Sequence, residues 1–143
     1  MKLFVQNTTV GLLPLYPTDL DEKRKLKIGE TYEVAIRRPR NVQFHRKFFA
    51  LIEVGHDNHE WYNDEGERIT IPRDSYRKWA IKMAGFFNAY DTPKGTYFEP
   101  QSIAFHNMDE DQFAEVYSRV LDVIIDDLDC TAEEINEQVL SFL

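Results

Sequence analysis

Apolar residues recur every three or four positions through the C-terminal third of the chain. From 113 to 128 they form one stripe of 3.6-residue period, which predicts a long amphipathic helix. The segment 109–112 carries Asp and Gln at the spacing of a capping box, and 131–134 repeats the pattern with Thr and Glu. The sequence therefore predicts two consecutive helices, the second carrying its apolar residues between 135 and 142.

Two more helical patterns lie near the centre. Apolar residues at 44–52 fall at near-helical spacing after Asn41, a residue able to cap a helix, and Gly55 is expected to end this helix. A second stripe runs through 76–87. Its expected caps are Asp74 or Ser75.

Strand patterns fill much of the remaining chain. Residues 2–15 predict a strand pair broken near Gly11, and the alternation in TYEVAIRR (31–38) predicts a half-buried strand. The segment 59–72 predicts a hairpin that turns at 63–66, and 95–105 is expected to be extended. A short polar helix is expected at 17–27.

Strands and helices do not alternate regularly, so the pattern favours an α+β fold over a doubly wound sheet. We expect a small mixed or antiparallel sheet with about four helices. At 143 residues, 43% of them hydrophobic, the chain can form one domain over residues 1–143 with its own core.

Charge divides the chain unevenly. The net charge is −8, but residues 107–143 hold eleven acidic residues against Arg119 alone, which leaves residues 1–106 slightly positive. The acidic helical part, 109–143, has several interpretations: a solvent-facing helix pair, a surface for a basic partner protein, a cover for basic residues of the same chain, or a mimic of nucleic acid.

Positive charge concentrates in RRPRNVQFHRKFFA (37–50), where a strand is expected to pass into a helix. Cations gain nothing from the dipole of a helix N-terminus, but they suit a phosphate held between its amides and side chains. The alternative is a solvated corner paired with the acidic helices. The candidate phosphate contacts are Arg37, Arg38, Arg40, Arg46 and Lys47, and the candidate hydrogen-bonding residues are Asn41, Gln43 and His45.

Aromatic residues supply the second element of a nucleic-acid site. Trp61 or Tyr62, in the expected hairpin, can stack on an unpaired base. Phe44 and Phe48 are expected in the core because they follow the helical stripe, whereas Phe49 falls off it.

No catalytic constellation is evident. The stretch HDNHEW places His56 and His59 close together in the sequence. Metal ligation needs more converging groups, so we interpret this stretch as a polar turn and expect no metal site. The glycines stand too far apart for a phosphate-binding loop or dinucleotide motif, so no cofactor is expected. An enzyme, for example a metal-dependent nuclease, is the third class of function that the sequence leaves open.

The chain has no apolar run long enough to span a membrane and only one cysteine, Cys130. Its first residues, MKLFVQNTTVGLL, are interrupted by polar residues and do not have the core of a signal peptide. We expect a cytoplasmic location.

Around RRPRNVQFHRKFFALIEVG (37–55) the sequence resembles an uncharacterised family of phage and prophage proteins. That family carries a K/R-R-x-R-N segment followed by F-H-R-K-F-F-A-L-L, and later P-x-S-I-x-F-x-x-M-D and F-x-x-L-Y. The resemblance covers about residues 25–125. The matching later positions are Pro100, Ser102, Ile103, Phe105, Met108, Asp109, Phe113 and Tyr117.

A weaker similarity reaches the phage NinB/Orf recombination proteins, which show Q-N-R-K-x-W-A, two tryptophan-containing elements and a G…S…F-x-E-L ending. The matching positions are Arg40, Gln43, Arg46, Lys47, Phe49, Ala50, Trp61, Trp79, Ser102 and Phe113. The resemblance implies a dimer that binds single-stranded DNA and assists strand annealing or recombinase loading, without an active site.

The leading hypothesis is therefore a phage- or mobile-element-encoded accessory protein of DNA recombination that binds single-stranded DNA, in a homodimer. The alternative hypothesis is an acidic interaction module that binds or inhibits a host or phage protein through its C-terminal helices.

Overall fold

A computed structural model describes residues 1–37 and 41–143. The chain divides into two compact units, Met1–Arg38 and Pro39–Leu143. Whether they behave as the one domain expected from the sequence stays a prediction. The α+β class is confirmed, with five α-helices and three two-stranded sheets among the described residues.

The first unit is a hairpin followed by a short helix. Strands β1 (Val5–Thr8) and β2 (Gly11–Pro14) pair antiparallel, as the break near Gly11 predicted, and α1 spans Pro17–Arg24. Asp19, buried on α1, accepts the backbone N–H of Phe4 at 2.9 Å and that of Tyr16 at 3.1 Å. One carboxylate thus joins the helix to the hairpin.

Over its described residues, 31–37, the strand expected at 31–38 does not form. Residues 31–37 have no regular secondary structure, and the apolar residues that set the alternation are exposed. A strand needs a neighbour to satisfy its peptide groups, and no described residue pairs with this segment. The alternating pattern indicates a strand with one buried face, but it does not show whether a neighbouring strand is present to pair with it.

The second unit begins with α2 (Val42–Asn58), the hairpin of β3 (Trp61–Tyr62) and β4 (Arg68–Ile69), and α3 (Arg73–Met83). The hairpin β5 (Phe87–Thr92) and β6 (Gly95–Pro100) follows, then a 3-10 turn at Phe105–Asn107. Helices α4 (Glu110–Leu128) and α5 (Ala132–Ser141) complete the unit.

The core lies where α2, α3, α4 and α5 meet. Phe48, Leu51 and Ile52 of α2 pack with Val120 and Ile124 of α4, all with 1% exposure or less. These residues belong to the apolar stripes of the sequence. The periodicity of 113–128 therefore predicted both the helix and its buried face, and Asp109 and Thr131 cap α4 and α5.

Glycine marks the helix ends differently from the sequence prediction. Helix α2 does not end at Gly55 but continues to Asn58. Gly55 instead allows the close approach of α3, because a Cβ at this position would lie 2.6 Å from Cε1 of Tyr76. Helix α3 stops at Met83 instead of reaching 87, because Gly85 takes a left-handed φ of +95°. Its N-cap is Pro72, two residues before Asp74, the first of the two expected caps.

In the part of the chain that the structure describes, the three hairpins form separate two-stranded sheets. The sequence predicted only one strand of the β5–β6 hairpin. The sequence indicated the extended segment from 95 but assigned Phe86 and Phe87 to a helix. Once Gly85 ends α3, residues 87–92 become the partner strand of 95–100.

Candidate nucleic-acid interface

The basic end of α2 begins with an unusual N-cap. Asn41 takes left-handed dihedrals, φ 53° and ψ 48°, which asparagine tolerates better than most residues. The sequence predicted that the Asn41 side chain caps α2, but it forms no such hydrogen bond. Instead, Nδ2 donates to the carbonyl oxygens of Phe105 at 3.0 Å and Met108 at 2.9 Å. Asn41 therefore joins the start of α2 to the segment before α4.

A surface groove of about 500 Å³ opens beside this junction, between the first turns of α2 and α4. On its α4 side the capping groups bond to each other. The Asp109 side chain accepts the backbone N–H of Gln112, and the Gln112 side chain accepts the backbone N–H of Asp109. Its α2 side has no side-chain cap and no acidic residue in the first turn. The groove lining is Asn41, Val42, Gln43, Phe44, Met108, Asp109 and Glu110.

The described cations of the site stand on α2 just beyond the groove. Arg46 and Lys47 are both exposed, and neither forms an ion pair with a described carboxylate. The Lys47 ammonium lies 4.6 Å from the centre of the Tyr117 ring on α4, a cation–π contact that leaves its charge intact. Arg46 and Lys47 are therefore not neutralised by described carboxylates of the acidic helices.

Other predicted members are placed differently. Gln43 is exposed beside the groove, whereas His45 is buried at 6% exposure with its ring edge-on to Phe105, 4.8 Å between centres. Arg37 belongs to the first unit and is exposed there. Arg38 and Arg40 lie outside the described residues.

Trp61 and Tyr62 lie at the opposite end of α2. About 17 Å of helix separates Lys47 from Asn58, and β3 follows beyond that point. Tyr62 is exposed, but Trp61 is half-buried, and its Nε1–H donates to Oδ1 of Asp127 at 2.6 Å. The structure therefore brings Asn41, Gln43, Arg46 and Lys47 together and keeps the hairpin aromatics apart from them.

Trp61 belongs to an aromatic cluster with His59, Tyr76 and Trp79, whose rings lie 4.7–5.6 Å apart. The Tyr76 hydroxyl donates to Oδ2 of Asp127 at 2.8 Å, and burial together with this bond raises the pKa of Tyr76. Both oxygens of Asp127 are thus used, and α4 is joined to the hairpin and to α3.

Sequence reasoning missed this role of Asp127. Its separation from Trp61 is 66 residues and from Tyr76 is 51 residues, so no local pattern relates them. The available signal was general: buried Trp and Tyr side chains need partners for their polar atoms.

The remaining acidic residues of α4 and α5 face solvent. On α4, Asp111, Glu115, Asp122 and Asp126 form a stripe opposite the buried one, and Arg119 pairs with Glu115 at 3.0 Å. On α5, the first turn contains Glu133 and Glu134, both exposed. We call these six residues the acidic face.

Within the described residues, no three His, Cys, Asp or Glu side chains converge as metal ligands do. No described helix combines the length and apolar character needed to cross a bilayer.

Comparison with known proteins identifies the chain by family. A search of curated proteins and a search of solved structures each returned no match. A family model described as "Protein of unknown function (DUF1367)" matches residues 2–73 and 63–139, nearly the whole chain. The chain therefore belongs to the DUF1367 family.

Proposed function

We propose that this protein is a phage- or mobile-element-encoded, non-catalytic accessory protein of DNA recombination that binds single-stranded DNA. The observation that carries the proposal is the exposed, unneutralised pair Arg46 and Lys47 beside the groove at the start of α2. The similarity to the NinB/Orf proteins at Gln43, Arg46 and Lys47 supports the same assignment.

The order of charges along α2 supports it further. The exposed cations occupy the N-terminal half of the helix, whereas Glu53 and Asp57 occupy the C-terminal half. The helix dipole favours the reverse order, so this arrangement does not stabilise the helix. It places two cations on the second turn of α2, one turn beyond the first-turn amides that attract anions, which suits a bound phosphate.

At the N-terminal end of α2, hydrogen bonding and charge come from different groups. The first-turn amides of α2 and the Gln43 side chain offer hydrogen bonds, while Arg46 and Lys47 offer charge. Asp109 and Glu110 on the far side of the groove repel a polyanion, so the DNA backbone follows the α2 side. Because the contacts are to phosphate, binding is expected to depend weakly on base sequence.

The test is the fluorescence anisotropy of a labelled oligodeoxythymidine titrated with protein at several salt concentrations. The variant Arg46→Gln/Lys47→Gln should bind more weakly. Its plot of log affinity against log salt should be shallower by about 1.4, since each lost phosphate contact on a single strand removes about 0.7.

The matched control is Arg68→Gln/Lys94→Gln, which removes two exposed cations elsewhere and gives the same net charge. It should bind as the wild type does. Absence of wild-type binding at low salt, or equal losses in the two variants, would contradict the proposal.

The acidic face favours a second function, the docking of a basic partner protein. Five of its six carboxylates have no described ion pair, and a field of one sign speeds association with an oppositely charged protein. A basic host or phage protein captured by the wild type should be lost with Asp122→Asn/Asp126→Asn and kept with Glu30→Gln/Glu33→Gln. If the acidic face only repels DNA, the first variant instead binds the oligonucleotide more tightly.

A further inference from the structure

The hairpin β5–β6 has more exposed apolar surface than its position in the fold explains. Every residue from Phe87 to Glu99 is exposed, so both faces of the hairpin meet solvent. Four aromatic side chains account for most of this surface: Phe87 at 36%, Phe98 at 46%, Tyr90 at 49% and Tyr97 at 57% exposure. A two-stranded sheet without a covered face is marginally stable in water.

The hairpin also has a free edge. The main contacts of α3 with the hairpin are to β6, and among the described residues β5 pairs only with β6. The open edge of β5, six residues long, therefore presents the N–H and C=O groups of alternate residues to solvent. An exposed strand edge of this length is a template for another strand.

The charges of the hairpin argue against nucleic acid as the occupant. Its strands carry Asp91 and Glu99, and its one cation, Lys94, lies in the turn. A phosphate backbone would meet two carboxylates, so the aromatic residues here are better suited to a protein surface.

We propose that the occupant is a second copy of this chain, paired antiparallel along β5 about a two-fold axis at Tyr90. Tyr90 and Tyr97 are direct cross-strand partners within one hairpin. In the dimer the two Tyr90 residues become neighbours, and one face of a four-stranded sheet carries four tyrosines in a row. Cross-strand aromatic pairs of this kind stabilise sheets.

Electrostatics permit this register. Asp91 comes opposite Ala89 of the second copy and Asn88 comes opposite Thr92, so no like charges face each other across the new edge. The acidic face lies on α4 and α5, outside the paired strands. In a chain of net charge −8, the hairpin is a region where two copies meet with little repulsion.

Pairing along β5 buries a small area. Tyr90 and Tyr97 lie on one face of the hairpin and Phe87 and Phe98 on the other, and Tyr97 and Phe98 belong to the strand away from the new edge. The interface therefore consists of the β5 edge and the side chains beside it, which is smaller than the area of about 600 Å² per partner of the smallest stable interfaces. We expect a reversible dimer, and this inference does not depend on whether the protein binds DNA.

Sedimentation equilibrium of the full chain from about 1 µM to about 500 µM tests the proposal. The wild type should dimerise in this range. Tyr90→Lys, which places two ammonium groups at the axis, should raise the dissociation constant by about tenfold or more. Tyr97→Lys, the matched change one strand away, should raise it less. A wild type that stays monomeric throughout would overturn the proposal.

Oxidative cross-linking tests the register. In a Cys130→Ser background, Tyr90→Cys should form a disulfide-linked dimer because the two residues face each other at the axis. Tyr97→Cys should not. Efficient linking through position 97 alone would overturn pairing along β5, and this test remains informative if Tyr90→Lys does not fold.

Discussion

The two ends of helix α2 show opposite uses of the same kinds of side chain. At the C-terminal end, two members of the aromatic cluster, Trp61 and Tyr76, donate their hydrogen bonds to Asp127. At the N-terminal end, Arg46 and Lys47 have no ionic partner among the described residues, and the first turn has no side-chain cap.

This difference separates structural polar groups from groups available for binding. Hydrogen bonds from buried donors to a carboxylate stabilise the fold, and they leave those donors unable to recognise a ligand. Exposed charges at the opposite end contribute little to stability. Substitutions at the C-terminal end should therefore change stability first, and substitutions at the N-terminal end should change binding first.

The largest effect on stability is expected from Asp127→Ala. This change removes the acceptor that the Trp61 N–H and the Tyr76 hydroxyl share, and leaves both donors without it. The free energy of unfolding should fall by about 3 kcal/mol, measured by denaturant titration. The exposed neighbour Asp126→Ala is the control and should change it by no more than about 0.5 kcal/mol. Equal effects would remove the assigned role of Asp127.

Gly55→Ala should destabilise the protein by about 1–2 kcal/mol, because the new methyl group meets the Tyr76 ring. The sign is informative, since the same change at an uncrowded helix position stabilises by about 1 kcal/mol. The loss should be smaller in a Tyr76→Phe background, where the crowding hydroxyl is absent. A stabilised Gly55→Ala would show that α2 and α3 do not approach each other this closely.

At the N-terminal end, Gln43→Glu should separate stability from binding. A carboxylate in the uncapped first turn of α2 gains from the helix dipole, so the free energy of unfolding should rise by about 0.5 kcal/mol. The same charge should weaken oligonucleotide binding. Chemical unfolding and anisotropy on one preparation measure both, and a rise in affinity would contradict the proposed phosphate site.

The smallest effects are pH-dependent and have opposite signs at two carboxylates. Burial, reinforced by Asp57, raises the pKa of Glu53 despite its ion pair with Arg73, so its contribution to stability is lost as pH rises through that raised pKa. Hydrogen bonds and charge from Arg77 and Lys78 lower the pKa of Asp74 against the opposing effect of burial. Its contribution is lost as pH falls through the lowered pKa.

Relative to the wild type, Glu53→Gln should therefore become less unfavourable as pH rises from about 4 to about 7, whereas Asp74→Asn should become more unfavourable. Thermal unfolding at the two pH values measures both variants. Trends of the same sign would contradict the assignment.

The sequence predicted those parts of the fold that depend on local spacing. The stripe of α4 and the caps at Asp109 and Thr131 follow from residues within a few positions of each other. The missing strand at 31–37 and the continuation of α2 through Gly55 depend on neighbours distant in sequence. The first lacks a pairing strand among the described residues, and the second faces Tyr76.

The candidate site was predictable to the same extent. Gln43, Arg46 and Lys47 lie within two turns of one helix, so their proximity follows from helical geometry. Trp61 and Tyr62 are separated from them by the length of α2, and Asp127 enters from α4. Spacing along the chain fixed the first group, and only tertiary packing could place the others.

The late position of Asp127 has a consequence for synthesis on the ribosome. Trp61 and Tyr76 are synthesised more than fifty residues before Asp127, whose carboxylate accepts their hydrogen bonds. Until α4 emerges, α2, β3–β4 and α3 expose both an unmatched apolar surface and unsatisfied donors. The nascent chain should therefore reach its native packing late, and premature termination within α4 should release a species that chaperones retain.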